Sequence, residues 1–269
     1  MKRSVCALVS GGLDSCVMLA TLTRQYRKVY PVFIRQNLAW ETAELHSLRR
    51  YLRAARIRHE PLTILDLPAN DLYGLHWSMT GRRVPGARTP DEAVYLPGRN
   101  LMLLSKAAVF CALHKIDTIA VGSLGHNPFP DATLKFFRDF ATAAGAALDF
   151  RIKIIAPLRT YTKEQVIRRG LRLKLPLHLS FSCIAPKDGL PCGRCNKCAE
   201  RQKAFHVIGV TDRTKYAAQG CGGSHARPNV PRTSVALSDS AYSISHHCCG
   251  LCYTSISLDP CVTHGQWHC

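Results

Sequence analysis

The chain has 269 residues, 46% of them hydrophobic and 20% charged, and carries a formal net charge of +18 at pH 7. This is an ordinary globular composition, sized for one large domain or one domain with a small appendage, and long enough to bury a sizeable core. The positive field attracts nucleotides, nucleic acid and acidic surfaces without choosing among them, and no segment approaches a membrane span, since even "LMLLSKAAVFCAL" carries Lys106 in its middle.

The N-terminus, "MKRSVCALVS", has an apolar run too short for a signal peptide, cut off by "GGLDS". A cytoplasmic protein is expected, and with it thirteen cysteines acting as thiols and metal ligands rather than disulfides. From there, apolar runs alternate with helical patterns. Strands are expected at 4–10, 28–34, 61–67, 117–123 and 150–157, most of them continuously apolar, as strands covered on both faces are. Helices are expected at 13–25, 41–55, 99–115 and about 132–147, and Thr162 with Gln165 three residues later marks a further helix start. The alternation predicts an α/β fold with a doubly wound, mostly parallel sheet, whose ligands sit beyond the carboxyl ends of the strands. Residues 68–98 lack periodicity and are rich in Gly and Pro. A loop this long inside a compact domain is usually functional, so it is read as a pocket insertion.

These patterns divide the chain into an α/β domain at 1–180, a cysteine-containing segment at 181–216 and a tail at 217–269. The tail has no Lys, two Arg against two Asp, six of the cysteines and five of the histidines. Its "CCGLC" at 248–252 permits a metal site without matching a familiar zinc spacing. A poorly ordered extension is expected, one that a read-through or frame change could have added.

Two stretches carry chemistry. "SGGLDS", at 10–15, follows the first strand and opens the first helix. Gly11 and Gly12 let the backbone approach a ligand with successive N–H groups, the helix start at Leu13 favours an anion, and Ser10 and Ser15 offer hydroxyls. Asp14 has the wrong sign for phosphate unless it caps the helix or helps hold a Mg²⁺ shared with a nucleotide. A tight structural turn is the plain alternative; a Walker A loop is excluded, because no "GxxxxGK[ST]" is present. The string resembles the PP-loop of the ATP pyrophosphatases. The second stretch is "SCIAPKDGLPCGRCNKCAERQKAF", at 182–205. Cys183, Cys192, Cys195 and Cys198 are separated by eight, two and two residues, a spacing that closes a structural four-thiolate zinc shell. A redox C-x-x-C would explain only two of the four.

Together the two stretches resemble the 7-cyano-7-deazaguanine synthases of queuosine biosynthesis, over about residues 3–210. "YLPGRN" (95–100), "FPDATLKFF" (129–137) and "TKEQVI" (162–167) are similar to intermediate landmarks of that family. The resemblance implies an ATP-dependent ligase that turns the carboxylate of 7-carboxy-7-deazaguanine into a nitrile with ammonia. The carboxylate is adenylated, ammonia displaces AMP to give an amide, and a second activation lets the amide lose water. It also implies a homo-oligomer acting on a small-molecule carboxylate and ammonia, a reaction that requires no nucleic acid; no membrane partner is expected. Carried over by position, Ser10, Gly11, Gly12, Leu13, Asp14 and Ser15 would hold ATP with Mg²⁺. Lys163 would neutralise its charge, with Asp14 and Lys163 as the catalytic pair; a solvated helix lysine is the alternative for Lys163. Arg99, Asn100, Phe129 and Asp131 would bind substrate, although Arg99 and Asn100 could instead cap their own helix and Asp131 the helix after Pro130.

The sequence departs from the family at "RQNLAWETAEL" (35–45), where Gln36, Glu44 and Leu45 match, a histidine is missing and Trp40 is new. "SLGHNPFPD" (123–131) is also unusual, with Phe129 in place of Tyr. These departures leave room for the same chemistry on another carboxylated heterocycle. A tRNA-modifying PP-loop enzyme, a thiolase or a lysidine-type ligase, would suit the charge, but no separate RNA-binding module is present in the sequence and thiolation needs open, reactive cysteines. A nucleic-acid-binding zinc protein would leave "SGGLDS" without a purpose.

Overall fold

The structure, a computed structural model, describes residues 2–125 and 127–217. Apart from Ala217, the tail expected at 217–269 lies outside the described residues, and with it the "CCGLC" reading. Five parallel strands form one sheet in the order β3-β2-β1-β4-β5, with β1 at Lys2–Leu8, β2 at Tyr26–Arg35, β3 at Thr63–Asp66, β4 at Thr118–Ala120 and β5 at Lys153–Ile155. The alternation of β1 explains its unbroken apolar run. Val5, Ala7 and Val9 enter one core, and Cys6 enters the other.

On the first face lie α1 (Leu13–Leu22), nine of whose ten residues are buried, and α2 (Glu41–Ala54). The second face is covered by α5 (Arg99–Leu113) and α6 (Leu134–Leu148). Two short helices, α3 (Asn70–Tyr73) and α4 (Trp77–Thr80), interrupt the insertion that periodicity left as loop. At four residues each they are too brief to show a repeat in the sequence. The first face is completed by α7 (Lys163–Arg172) and by α8 (Asn196–Val207), a helix the sequence pattern did not reveal. The last two strands are three residues each, shorter than their apolar runs, with Asp117 and Val121 at the ends of β4 still hydrogen-bonded to Lys153 and Ile155 of β5.

The chain runs from β1 outward to β2 and β3, then returns to the other side of β1 with β4 and β5. The loops leaving β1 and β4 therefore part company at a topological switch point, where open α/β sheets bind ligands. Gly122, after β4, makes their closeness possible: a Cβ there would lie 3.3 Å from the backbone of Ser15.

Candidate active site

The loop after β1 is held by its own hydroxyls. Ser10 Oγ accepts the N–H of Gly12 at 3.2 Å, and Ser15 Oγ donates to the carbonyl of Gly12 at 3.0 Å. Gly11 has φ +81°, and a Cβ on it would meet Leu48 Cβ at 3.0 Å and the Glu44 carbonyl at 3.1 Å. Its missing side chain thus permits the close approach of α2. Gly12 precedes α1 without a side chain to cap it, so the free first-turn N–H groups of α1 present a partial positive charge for an anion.

Two cavities meet at this loop. The larger, about 590 Å³, is lined by Ser10, Gly12, Leu13 and Asp14, and also by Lys163 of α7 and by Lys197, Glu200 and Arg201 of α8. The smaller, about 230 Å³, lies over the ends of β1, β2 and β4, with an apolar wall that includes Val32, Ile34, Leu103 and Phe137. Ser15 and Asn100 line the smaller cavity, Phe129 the larger, and Arg99 both.

Lys163 is set by local sequence. The Thr162 hydroxyl accepts the N–H of Gln165 at 3.3 Å, and the Gln165 side-chain oxygen accepts the N–H of Thr162 at 2.9 Å, a complete capping box that starts α7 at Lys163. Far from being solvated, Lys163 donates to Asp14 Oδ2 at 2.6 Å and lies 3.0 Å from Glu200 Oε1. Burial pulls its pKa down, but Asp14 and Glu200 outweigh it and hold it above the ordinary lysine value. Glu200 also pairs with Lys197 at 3.0 Å, and Lys197 reaches Asp91 of the insertion at 3.5 Å. Burial pushes the Glu200 carboxyl up, and the two lysines more than reverse this, carrying it to about 2. The network crosses four segments of the chain. Neither Lys197 nor Glu200 stands out in the sequence, where both look like exposed helix charges.

Asp131 and Asn100 are brought together in a way the sequence did not suggest. The Asp131 carboxylate accepts the backbone N–H of Asn100 at 2.9 Å and its side-chain amide at 3.3 Å, so it caps α5 from another segment. The expectation that Asp131 caps the helix following Pro130 is corrected: Thr133 does so, accepting the N–H of Phe136 at 3.1 Å. Asp131 itself sits in a single 3₁₀ turn at Pro130–Ala132. Arg99 Nε donates to the side-chain oxygen of buried Gln36 at 3.1 Å. Across the larger cavity, Trp40 and Trp77 stack with centroids 5.7 Å apart and planes 18° from parallel, while Phe129 packs on Tyr95 at 5.0 Å.

Glu44, from α2, lines both cavities and is buried. Burial lifts its carboxyl to about 8, against the opposing pull of Arg99 and with a push from Glu41. A buried acid with this value titrates near neutrality, a property that composition and spacing do not reveal.

The four cysteines converge. Their Sγ atoms all lie within 4.8 Å of one another and all four residues are buried. Cys183 and Cys195 are 3.9 Å apart and Cys192 and Cys198 4.0 Å, close to the ~3.8 Å edge of a tetrahedron with ~2.3 Å metal–sulfur bonds. Backbone N–H groups of Ala185 and Cys192 point at Cys183 Sγ, at 3.4 and 3.2 Å, and that of Cys195 at Cys192 Sγ, at 3.3 Å, which favours thiolates. The cluster can hold a metal. It is joined to the insertion by a bridge between Gly86 and Cys195 and by the Asn196 amide, which donates to the Thr89 carbonyl at 2.8 Å. Arg201, nearly fully buried, anchors α8 from the other end: it donates to both Asp212 oxygens at 2.8 and 3.2 Å, to Ser180 Oγ at 2.7 Å and to the Leu177 carbonyl at 2.9 Å.

The family model described as "Queuosine biosynthesis protein QueC" matches residues 4–209. The chain belongs to the QueC family. A 7-cyano-7-deazaguanine synthase of Leptospira interrogans is 29% identical over 221 residues, spanning 77% of this chain and 88% of the relative. One of Cupriavidus necator is 32% identical over 230 residues, spanning 81% and 99%. Among solved structures, the U34-tRNA thiolase NcsA of Methanococcus maripaludis is 13% identical with a TM-score of 0.44, over 84% of this chain and 78% of that one. Among the described residues, no helix is long and apolar enough to cross a membrane.

Proposed function

We propose that this QueC-family chain is an ATP-dependent ligase that makes 7-cyano-7-deazaguanine from 7-carboxy-7-deazaguanine and ammonia. The observation that carries this reading is the meeting of two cavities at the "SGGLDS" loop, which suits a reaction joining a nucleotide to a second flat ligand. The smaller, apolar cavity takes the adenine, and the larger takes the deazapurine between Phe129 and the Trp77 side. The triphosphate lies along the start of α1, where Lys163 and the free N–H groups offset its charge.

Asp14 Oδ1 is buried and has no hydrogen-bond partner, an orphan that fits a divalent cation such as Mg²⁺ beside the phosphates. Bound there, the cation supplies charge neutralisation. The four cysteines fit zinc in a closed, structural shell, with residues 181–216 as its segment and 1–180 as the nucleotide domain. Such a shell leaves no open thiol for a sulfur-transfer reaction.

The chemistry follows from leaving groups. A carboxylate oxygen leaves poorly, so the substrate carboxylate attacks the α-phosphate of ATP and pyrophosphate departs. Ammonia then attacks the acyl carbon and AMP leaves. Activation of the amide oxygen by a second ATP lets the same nitrogen become the nitrile. Arg99, at the junction of both cavities, neutralises the carboxylate as it approaches the phosphates. The enzyme works in the cytoplasm as a homo-oligomer, without membrane or nucleic acid; the free, buried thiols of Cys6, Cys16 and Cys111 support a reducing compartment.

The test is mass spectrometry of purified protein with ATP, Mg²⁺, ammonium and 7-carboxy-7-deazaguanine. Nitrile is the expected product. ATP binding without turnover of this carboxylate would keep the ligase chemistry and move the substrate to another carboxylated heterocycle, which Trp40 and Trp77 in the wall would then explain.

A further inference from the structure

Among the described residues, three charged side chains line both cavities: Asp14, Arg99 and Glu44. If the two cavities hold the two ligands, this junction is where their reacting atoms meet. Asp14 is committed to Lys163, 2.6 Å away, and Arg99 is a permanent cation that donates to Gln36. Glu44 differs from both. Its side chain makes no hydrogen bond among the described residues and lines both cavities, and it comes from α2 whereas Lys163 comes from α7.

Nitrile formation makes a demand that carboxylate activation alone does not. Every N–H bond of ammonia is gone in the product, so the site must accept protons from nitrogen repeatedly. We propose that Glu44 is the catalytic proton acceptor for the nitrogen steps, a role that rests on the ligase reading above. In the first step the ammonia lone pair forms the C–N bond, the C–O bond to AMP breaks with its electron pair leaving on AMP, and one N–H proton passes to Glu44. In the second, the amide oxygen bonds to the α-phosphate of a second ATP, pyrophosphate leaves, and nitrogen gives up another proton. In the third, the last N–H bond breaks to the carboxylate, its electrons complete the C≡N bond, and AMP departs with the C–O pair. Glu44 returns each proton to solvent between steps.

The surroundings favour this traffic. Glu44 shares the junction with Arg99 of α5 and interacts with Glu41 of its own helix and Cys16 of α1; burial and Glu41 raise its carboxyl to about 8 against the pull of Arg99. A carboxyl at its ordinary value would be a weak base toward ammonium or an imidate.

The experiment separates activation from nitrogen chemistry. Carboxylate-dependent ATP–pyrophosphate exchange and nitrile formation are measured for the wild type, Glu44→Gln and Glu44→Asp, with thermal melting as the check on folding. In Glu44→Gln, exchange should fall less than ~3-fold while nitrile formation falls ~100-fold, the size typical of a lost general base. Glu44→Asp should recover part of that loss, and the wild-type rate should rise with pH through a group near 8 that is missing from Glu44→Gln. A Glu44→Gln protein that makes nitrile at the wild-type rate overturns the role, as does one that loses exchange and nitrile in equal measure. A folded wild type that shows no carboxylate-dependent exchange overturns the ligase reading itself, and this role with it.

Discussion

Phe181 donates its backbone N–H to the carbonyl of Gly11 at 2.8 Å, so the segment leading into the four cysteines is hydrogen-bonded to the "SGGLDS" loop. Two residues later comes Cys183, and the helix that starts at the cluster returns Lys197, Glu200 and Arg201 to the cavity. The four-cysteine cluster and the "SGGLDS" loop are thereby one mechanical unit.

Cys195→Ser should lose the metal, lower the melting temperature and weaken Mg-ATP binding together, because structural metal binding is folding free energy and α8 carries part of the cavity wall. Elemental analysis, melting and calorimetric titration of the same preparation check this. A metal-free variant that melts and binds ATP like the wild type would show the cluster to be idle.

Lys163→Ala removes the cation shared by Asp14 and Glu200 and leaves two half-buried carboxylates facing the cavity. Stability at pH 7 should drop by about 2 kcal/mol, since breaking such a pair strands its partners. Urea unfolding measures it, and a variant as stable as the wild type would show that the pair contributes nothing net.

Lys197 lines the larger cavity together with Gly12 and Leu13 at the start of α1, where the triphosphate is proposed to lie, so Lys197→Ala should weaken Mg-ATP binding about tenfold, the worth of one charge-assisted contact, and Lys197→Arg should restore most of it. If calorimetry gives the wild-type affinity for the alanine variant, Lys197 serves only the ion-pair network with Glu200 and Asp91.

Glu44 makes stability depend on pH with a definite sign. Its folded value of about 8 exceeds the ordinary 4.5, so the native state holds this proton more tightly than the unfolded chain. The stabilising contribution is complete below about pH 4.5 and is lost as pH rises toward 8. Glu44→Gln cannot ionise, so its melting temperature relative to wild type should climb between pH 5 and pH 8.5, by ~5 °C or more. A difference that stays flat across that range would contradict the burial of an ionisable carboxyl here.

Much of this was legible because it is local. The strand–loop–helix of "SGGLDS", the cysteine spacing and the Thr162–Gln165 box each lie within a short window, and short continuous apolar runs set between helical patterns mark the buried strands. What escaped depends on distant segments. Asp131 caps α5 across 31 residues of sequence, and only the fold brings them together. α8 opens with "NKCAERQKAF", whose charges mask an amphipathic pattern because Arg201, the most buried of them, is neutralised by Asp212 rather than by solvent. The titration of Glu44 follows from burial, which no residue type announces.

The stacked pair Trp40–Trp77 gives the chain an optical probe of its own. It has three tryptophans, and these two share the wall of the larger cavity. A flat heterocycle entering there alters the polarity around the indoles and offers them a quenching partner, so filling of the cavity is reported by intrinsic emission, without a label and without turnover. With Trp267 replaced by Phe, the remaining signal arises from that wall alone.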